Sequence, residues 1–303
     1  MERYLLPMNV KTYKTFFINQ LKSLYPLEEI DSFFSILNRH YLKWNRAEGI
    51  LNQENEMPLE VEQHLQSALE KLKKQIPIQY IVGETEFYSL PFLVNASVLI
   101  PRPETEELVD WILESQKSFS LDNLAFTKTL TSNQQQISIL DIGTGSGCIA
   151  ITLAKNLPNA MVSALDVSEK ALATARKNAQ KNEVKITFLK MDILNTSDLG
   201  GTWDIIVSNP PYIKEEEKDK MSNNVLENEP HVALFVSDAD ALLFYKKIAA
   251  LAKSHLNVGG SLYFEINENQ GANVVSLLEK EGFKNLELRK DLYGKDRMVL
   301  GKF

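Results

Sequence analysis

The residues Asn209, Pro210, Pro211 and Tyr212 follow a run of strand-forming residues and combine a side-chain amide, a rigid backbone and an aromatic ring. Proline has no N–H to donate to a neighbouring strand, and it keeps the residue before it in an extended conformation. We therefore expect the strand to end here and to leave carbonyl oxygens exposed. The Asn209 side-chain oxygen and the Pro210 carbonyl could accept the N–H hydrogens of a planar amide or aromatic amine, on which Tyr212 could stack. The pattern predicts a clamp for such a nitrogen, and a polar turn with a prolyl stop is the alternative.

A second candidate site is the glycine-rich turn DIGTGSG, which begins at Asp141 between a predicted strand and a predicted helix. Such turns let a ligand approach the backbone and direct helix N–H groups at it. The next predicted strand ends in Asp166, where an acidic residue can accept hydrogen bonds from both ribose hydroxyls of an adenosine. The turn residues that we expect to contact a cofactor are Gly143, Thr144, Gly145, Ser146 and Gly147.

The spacing of the glycines separates two classes of cofactor. A nicotinamide enzyme uses G-x-G-x-x-G to hold a pyrophosphate, whereas this turn reads G-x-G-x-G and follows Asp141, which would repel a diphosphate. The same carboxylate could serve an ammonium group, and S-adenosylmethionine carries an ammonium and an adenosine but no phosphate. The turn therefore predicts S-adenosylmethionine, and a tight strand-to-helix turn without a ligand is the alternative.

Both candidate sites should meet in one crevice, because ligands of a doubly wound sheet lie beyond the carboxyl ends of its strands. Asp166 and the Met191–Ile193 segment after the third strand should lie there too. An amide nitrogen is a poor nucleophile, and two acceptors for its hydrogens would raise its electron density and aim it at the S–CH₃ bond. We therefore interpret the Asn209–Tyr212 tip as a clamp for a methyl acceptor.

Two domains and a linker are predicted to position these residues. Residues 1–76 are predicted to be helical, because apolar residues recur at spacings of three and four. Residues 77–105 contain two short β-rich runs, around Glu86–Tyr88 and Phe92–Val94, which predict a hairpin linker. Residues 106–303 alternate between helix and strand, which is typical of a mostly parallel α/β sheet. The last two strands predict an antiparallel edge hairpin, and the polar stretch Ser115–Gln136 predicts a mobile surface loop.

Composition excludes several classes of protein. The chain has 303 residues, of which 44% are hydrophobic and 24% charged, as in ordinary globular proteins. No apolar run reaches the roughly 18 residues of a membrane span, and the N-terminus lacks a signal-peptide pattern, so we expect a cytoplasmic protein. A single cysteine, Cys148, excludes an internal disulfide, and four scattered histidines predict no metal site. We interpret Cys148 as a packing residue.

Several runs of sequence, spread over nearly the whole chain, resemble the HemK-type peptide chain release factor glutamine methyltransferases. The runs are PIQYIVGETEFY, VLIPRPETEELV, ILDIGTGSGCIAI, IIVSNPPYI, ENEPHVAL and DLYGKDRMVLGKF. The proline-rich tip also occurs in nucleic-acid amino methyltransferases, whereas PIQYIVG and LIPRPETE are more particular to this family.

The resemblance implies a Rossmann-like class I S-adenosylmethionine-dependent methyltransferase domain with a small N-terminal helical domain. It implies methylation of the side-chain amide nitrogen (N5) of the glutamine in the Gly-Gly-Gln motif of class 1 release factors, which the helical domain would grip. From composition and charge we expect no binding to nucleic acid or membrane, and we expect a monomer. The PRPETE run, residues 101–106, would form a lip of the active site or a rigid loop that caps the next helix.

Residue roles follow from the same resemblance. Residues 143–147 match the cofactor loop, Asp166 matches the ribose-binding acid, and Ile193 falls where the family has a cofactor-contacting, often aromatic residue. The residues that match the glutamine clamp are Asn209, Pro210, Pro211 and Tyr212, with Asn209 also near the cofactor. Of these, Asn209, Pro210 and Tyr212 are the predicted catalytic residues. The chain departs from the family at Asn267, where glycine is usual, and in the longer Ser115–Gln136 loop.

Two other functions stay open from the sequence. One is an amino methyltransferase that acts on adenine or guanine in DNA or RNA, and the other is a cofactor-binding or docking module without catalysis. The first would need a basic groove or a target-recognition domain, whereas residues 1–76 contain ten Lys/Arg and ten Asp/Glu, and the whole chain carries a net charge of −7. The intact glycine turn and the intact Asn209–Tyr212 tip argue against a module without catalysis.

Overall fold

The computed structural model describes residues 8–126 and 136–303, which fall into two units with separate hydrophobic cores. The first unit contains the chain up to Gly83 and also Ser222–Asn228. The second unit contains Glu84–Met221 and Glu229–Phe303.

Side-chain caps begin two helices of the first unit. The Asn9 side chain accepts a hydrogen bond from the Thr12 N–H (2.8 Å), and Asn45 and Glu48 form a reciprocal capping box. The apolar faces of the helices pack into a single core. The helices are α1 (Val10–Leu21), α2 (Leu27–Leu42), α3 (Arg46–Leu51), α4 (Leu59–Lys73) and α5 (Ile78–Val82).

The first unit extends beyond the predicted boundary at residue 76. Ile78 and Ile81 of α5 are buried in its core. The segment Ser222–Asn228 also belongs to it, and the Asn228 Nδ2 atom donates to the Gln75 carbonyl (3.3 Å). Sequence periodicity could not predict this placement, because the contact joins residues 153 positions apart.

The second unit begins with the predicted hairpin, displaced by one or two residues. Its strands are β1 (Glu84–Phe87) and β2 (Leu90–Leu93), which pair antiparallel. The turn consists of Tyr88 and Ser89, both with left-handed backbone angles (φ 51° and 59°). A two-residue turn of this kind matches the twist of the flanking strands, so the turn falls at Tyr88–Ser89 rather than at the predicted SLP.

A seven-stranded sheet is the centre of the second unit, and its strand order is β10-β11-β9-β6-β3-β4-β5. Only β11 runs antiparallel to its neighbours, so the predicted edge hairpin of the last two strands is confirmed. The short strands β7 and β8 form a separate parallel pair. The strands are β3 (Ser138–Ile142), β4 (Met161–Asp166), β5 (Thr187–Lys190), β6 (Trp203–Ser208), β7 (Ile213–Lys214), β8 (Phe235–Val236), β9 (Leu256–Glu265), β10 (Lys284–Lys290) and β11 (Asp296–Lys302).

Alternate residues of the strands enter two cores on opposite faces of this sheet. Ile139 of β3 contributes to one core and Leu140 to the other. Helices α6 and α7 supply the first core, and α11 and α12 supply the second. The remaining helices are α6 (Pro103–Phe126), α7 (Cys148–Asn156), α8 (Glu169–Lys181), α9 (Asn223–Asn228, in the first unit), α10 (His231–Leu234), α11 (Leu243–His255) and α12 (Gly271–Glu281), with a 3₁₀ helix at Glu215–Lys220.

The prediction of a surface loop over Ser115–Gln136 is wrong for residues 115–126, which are helical. Helix α6 continues through Ser115 to Phe126. The Ser115 hydroxyl donates to the Trp111 carbonyl one turn earlier (2.9 Å), so this polar residue is accommodated within the helix. Residues 127–135 of the predicted loop lie outside the described residues.

No helix in the described ranges is long and apolar enough to cross a lipid bilayer.

Candidate active site

The predicted site residues follow neighbouring strands at one edge of the sheet. Ile142 of β3 pairs with Leu165 of β4 on one side and with Ser208 of β6 on the other. Gly143, Asp166 and Asn209 are the next residues along these three strands. Since adjacent strands lie about 4.8 Å apart, the fold brings the glycine turn, the predicted ribose-binding acid and the predicted clamp together.

The glycine turn is open toward solvent at two of its glycines and closed at the third. Gly143 and Gly145 have positive φ values (76° and 55°), and a Cβ atom at either would meet nothing within 4 Å. A Cβ at Gly147 would lie 2.8 Å from the Ile151 side chain and 3.2 Å from Ala175. The first two glycines therefore leave room for a ligand, whereas the third permits close packing of α7 and α8.

Thr144 and Ser146 lie in the turn with buried side chains, at 5% and 2% exposure. The Thr144 hydroxyl donates to Asp141 Oδ2 (2.6 Å). These two residues can therefore meet a ligand through their backbone rather than through their hydroxyl groups.

Backbone N–H groups hold the Asp166 carboxylate in place beside the glycine turn. Its Oδ2 atom accepts the Gly145 N–H (2.9 Å) and its Oδ1 atom accepts the Ser168 N–H (2.8 Å). Burial raises the pKa of Asp166, and the backbone N–H donors partly offset that effect. Each carboxylate oxygen retains a second lone pair, so the side chain can still accept hydrogen bonds from two hydroxyl groups.

Asp141 is fully buried beneath the glycine turn, and its Oδ1 atom has no hydrogen-bond partner among the described residues. Burial raises its pKa to about 7, although the Thr144 hydroxyl and the Ala150 N–H lower it. Buried polar atoms rarely stay unpartnered. The unpartnered oxygen and the open glycine turn together fit a ligand that carries a positive group and a nucleoside, as S-adenosylmethionine does.

Ile193 and Cys148 are both mostly buried. Ile193 packs in the core beside α11 and is 9% exposed, so it offers a ligand only a small apolar surface. Burial raises the pKa of the Cys148 thiol to about 12. The thiolate is therefore scarce near neutral pH, and the prediction that Cys148 is a packing residue is confirmed.

The Asn209–Tyr212 tip leaves β6 as an extended segment. The Asn209 Nδ2 atom donates to Thr105 Oγ1 (3.3 Å). Within the described residues, nothing donates a hydrogen bond to Asn209 Oδ1 or to the Pro210 carbonyl oxygen. Both acceptors that the sequence singled out therefore lack a donor within the described residues, although Asn209 is half-buried and Pro210 is buried rather than exposed.

Tyr212 lines a cleft of about 280 Å³ beside the tip. Burial and the nearby Glu265 raise the pKa of Tyr212, so it stays protonated near neutral pH. Asn267, the family departure noted in the sequence, also lines this cleft. The lining residues are Tyr212, Ile213, Glu217, Met221, Asn267, Glu268, Asn269 and Arg297.

Two protein families match the chain, one in the helical unit and one mainly in the second unit. Residues 16–83 match the family described as PrmC N-terminal domain, and residues 115–234 match the methyltransferase small domain. The release factor glutamine methyltransferase of Flavobacterium psychrophilum is 54% identical over 98% of this chain and 100% of its own. That of Bacteroides thetaiotaomicron is 41% identical over 94% and 97%. The chain belongs to the release factor glutamine methyltransferase family.

Membership of the release factor glutamine methyltransferase family confirms the predicted fold class, the methyltransferase activity and S-adenosylmethionine as the cofactor. It favours the protein-glutamine activity over the nucleic-acid alternative. Among solved structures, the hMettl16 catalytic domain in complex with the MAT2A 3′UTR hairpin 6 has a TM-score of 0.54 at 16% identity. The match covers 71% of this chain and 76% of that chain, and it shows the shared fold alone.

Sequence reasoning assigned no role to three buried polar residues near the site. Thr105 and Glu265 form a 2.6 Å hydrogen bond, and Glu229 forms an ion pair with Arg102 (2.5 Å). Thr105 and Glu229 lie in PRPETE and ENEPHVAL, runs that carry the family resemblance, and Glu265 lies at the end of β9. Only the fold shows the partners of all three. No cluster of metal-ligating side chains occurs in residues 8–126 and 136–303.

Proposed function

We propose that this protein transfers the methyl group of S-adenosylmethionine to the N5 nitrogen of the glutamine in the Gly-Gly-Gln motif of class 1 release factors. It would act in the cytoplasm, as a monomer, on factors of translation termination. The observation that carries the proposal is the Asn209 carboxamide, which follows β6 directly beside the glycine turn and whose oxygen accepts no hydrogen bond from the described part of the chain. The names of the most similar relatives support the same substrate.

The glycine turn and two carboxylates would hold the cofactor, which supplies an electrophilic methyl group. The turn offers backbone N–H groups and open space at Gly143 and Gly145. Asp166 would accept hydrogen bonds from the ribose hydroxyls, and Asp141 would face the ammonium group. Ile193 would contact the adenine.

The Asn209–Tyr212 tip would hold and activate the glutamine amide. Asn209 Oδ1 and the Pro210 carbonyl would accept its two N–H hydrogens, which raises electron density on nitrogen and fixes its direction of attack. Positive charge develops on this nitrogen during transfer, and two preorganised dipoles stabilise that charge. The nitrogen would then release one of its two protons to water, which leaves the neutral N-methyl amide. Pro211 would keep the tip rigid, and Tyr212 would stack on the planar amide.

We propose that the N-terminal helical unit, which extends to Gly83, docks the release factor, and that the second unit, which begins at Glu84, is catalytic. The helical segment has equal numbers of basic and acidic residues, which suits a protein partner better than nucleic acid. Family resemblance supports this role through the match of residues 16–83.

The decisive experiment measures transfer of a radiolabelled methyl group to an intact class 1 release factor, to DNA and to RNA. Peptide mass spectrometry should find the methyl group on the glutamine of the Gly-Gly-Gln motif. Asn209→Ala should lower kcat by about two to three orders of magnitude, as the loss of one preorganised polar group does. Asn156→Ala, in the last turn of α7 away from the glycine turn, is the matched control and should retain kcat. Methylation of nucleic acid in place of the release factor would refute the proposal.

A further inference from the structure

A buried hydroxyl joins the start of α6 to the ends of β6 and β9. Thr105 is 3% exposed, and its Oγ1 donates to Glu265 Oε2 (2.6 Å). The same oxygen accepts a hydrogen bond from Asn209 Nδ2 (3.3 Å). Glu265 ends β9, the neighbour of β6 in the sheet. Three elements that are distant in sequence thus share one hydrogen-bond chain that ends on the clamp.

The direction of this chain follows from which atoms can donate. An ionised carboxylate only accepts hydrogen bonds, and a hydroxyl has a single hydrogen to give. Thr105 must therefore give its hydrogen to Glu265 and can only accept from Asn209. A carboxamide donates through Nδ2 alone, so Nδ2 turns toward Thr105 and Oδ1 turns the opposite way. A flipped Asn209 would set its oxygen against a hydroxyl oxygen that has no hydrogen left to offer.

Further hydrogen bonds and an ion pair hold the residues of this hydrogen-bond chain in place. The Thr105 N–H donates to the Arg102 carbonyl (3.1 Å), and the Arg102 guanidinium pairs with Glu229, whose side chain is 1% exposed. The Tyr245 hydroxyl donates to the Glu265 carbonyl (3.2 Å). The backbones of Thr105 and Glu265, which carry the hydroxyl and the carboxylate, are therefore both anchored by bonds that do not involve Asn209.

We propose that Thr105 and Glu265 are positioning residues, which orient the Asn209 carboxamide so that its oxygen faces the substrate amide. This inference rests on the proposed function of Asn209 as the glutamine clamp. The two residues act through Asn209 and have no need to touch substrate or cofactor. The PRPETE run thereby contributes a hydrogen-bond acceptor to the clamp rather than only a lip.

The orienting effect requires ionised Glu265. When Glu265 is protonated, its carboxyl can donate to Thr105, whose hydrogen is then free to point at Asn209 and stabilise the flipped amide. Burial raises the pKa of Glu265 to about 7, although hydrogen bonds from the Thr105 hydroxyl and the Asn209 carboxamide and the charge of Arg297 lower it. The kcat should therefore rise with pH through about 7. The titratable groups that face Glu265 are Glu104 of α6, Cys148 of α7, Tyr212 after β6, Tyr245 of α11 and Arg297 of β11.

Three variants test the role of Thr105. Thr105→Val keeps the shape of the side chain but removes the hydroxyl, and it should lower kcat roughly ten- to a hundredfold, the effect of losing one hydrogen bond to a charged network. The KM for release factor and the affinity for S-adenosylmethionine should stay unchanged. Thr105→Ser should restore most of kcat. The matched control is Thr152→Val, because Thr152 is also fully buried but its hydroxyl has no partner in the described structure.

The pH profile gives a test that does not depend on the valine variant folding. Measured at saturating S-adenosylmethionine, wild-type kcat should show an inflection near pH 7. In Glu265→Gln that inflection should vanish, because a glutamine amide does not titrate in this range. Wild-type activity on the release factor tests the proposed function itself. The inference is overturned if the wild type is active and Thr105→Val is equally active, if Thr152→Val loses as much, or if Glu265→Gln keeps the inflection.

Discussion

At the residue scale, Asp141 links cofactor binding to protonation. Its folded pKa, about 7, lies above the usual value of 3.8 because the carboxyl is buried. A raised folded pKa contributes stability that is complete below the unfolded pKa and is lost as pH rises through the folded pKa. Without cofactor, the fold therefore loses stability progressively as pH rises from about 4 to 7, and the full loss persists above pH 7. An ammonium group beside it would favour the ionised form and offset that cost.

Asp141→Asn should accordingly change stability and binding in opposite directions. At pH 8 the cofactor-free variant should melt at a higher temperature than the wild type, by a few degrees, and the gap should shrink toward pH 5. Affinity for S-adenosylmethionine should fall roughly ten- to a hundredfold at pH 8, as expected for a lost charge-assisted hydrogen bond. Thermal melts and calorimetry at both pH values measure the two effects. An unchanged affinity would show that Asp141 does not face the ammonium group.

The predicted contact of Asp166 with the ribose leads to a simpler expectation. Asp166→Ala should weaken S-adenosylmethionine binding by roughly ten- to a hundredfold, because about 1.5–3 kcal/mol of charge-assisted hydrogen bonding is lost. Glu169→Ala is the control, since it removes an exposed carboxylate three residues later that pairs with Arg176 at the surface. Calorimetry on folded variants compares them. Equal affinities in the two variants would remove Asp166 from the cofactor site.

At the element scale, two glycines of the same turn have different tasks. Gly147→Ala should destabilise the fold by roughly 2–3 kcal/mol. The backbone there has a positive φ of 84°, and the added methyl group would lie too close to Ile151 and Ala175. In Gly145→Ala, the added methyl group enters open space, so only backbone strain of about 1 kcal/mol remains.

Each of these glycine variants is the control for the other. The melting temperature should fall further in Gly147→Ala, whereas S-adenosylmethionine affinity should fall further in Gly145→Ala because its methyl group occupies the ligand's space. Melting curves and calorimetry on both proteins separate packing from binding. If Gly145→Ala bound the cofactor as tightly as the wild type, the open side of the turn would not be the cofactor side.

Local sequence predicted the parts of the site that follow consecutive strands. A strand, a glycine turn and an acid at the next strand end are readable in order, because parallel strands bring their carboxyl ends to one edge. Thr105 lies 104 positions from Asn209 and 160 from Glu265, so only the packing of α6 against the sheet reveals their contact. Helix α6 also extends beyond its predicted end. The sequence did not predict this extension, because polar residues such as Ser115 are common both on helix surfaces and in loops.

At the scale of the whole molecule, the proposed docking of the release factor and the methyl transfer belong to different units. The helical unit has its own core and contains no predicted catalytic residue. The glycine turn, Asp166 and the Asn209–Tyr212 tip all belong to the second unit. Binding energy remote from the reacting centre can both retain a substrate and orient it. A release factor gripped by the helical unit would therefore gain in kcat/KM, whereas a small amide would not.

A chain shortened to begin at Glu84 should still bind S-adenosylmethionine, because every predicted cofactor contact lies downstream. It should lose most of kcat/KM toward an intact release factor. Toward a short peptide that contains Gly-Gly-Gln, the shortened and full-length enzymes should be similarly slow, since neither can use the docking contacts. Circular dichroism must first show that the shortened chain is folded, because Ser222–Asn228 loses its packing partners in the helical unit. If that folded chain methylated the intact release factor as fast as the full-length enzyme, the helical unit would have no docking role. If it failed on the peptide as well, the helical unit would instead be needed to shape the clamp.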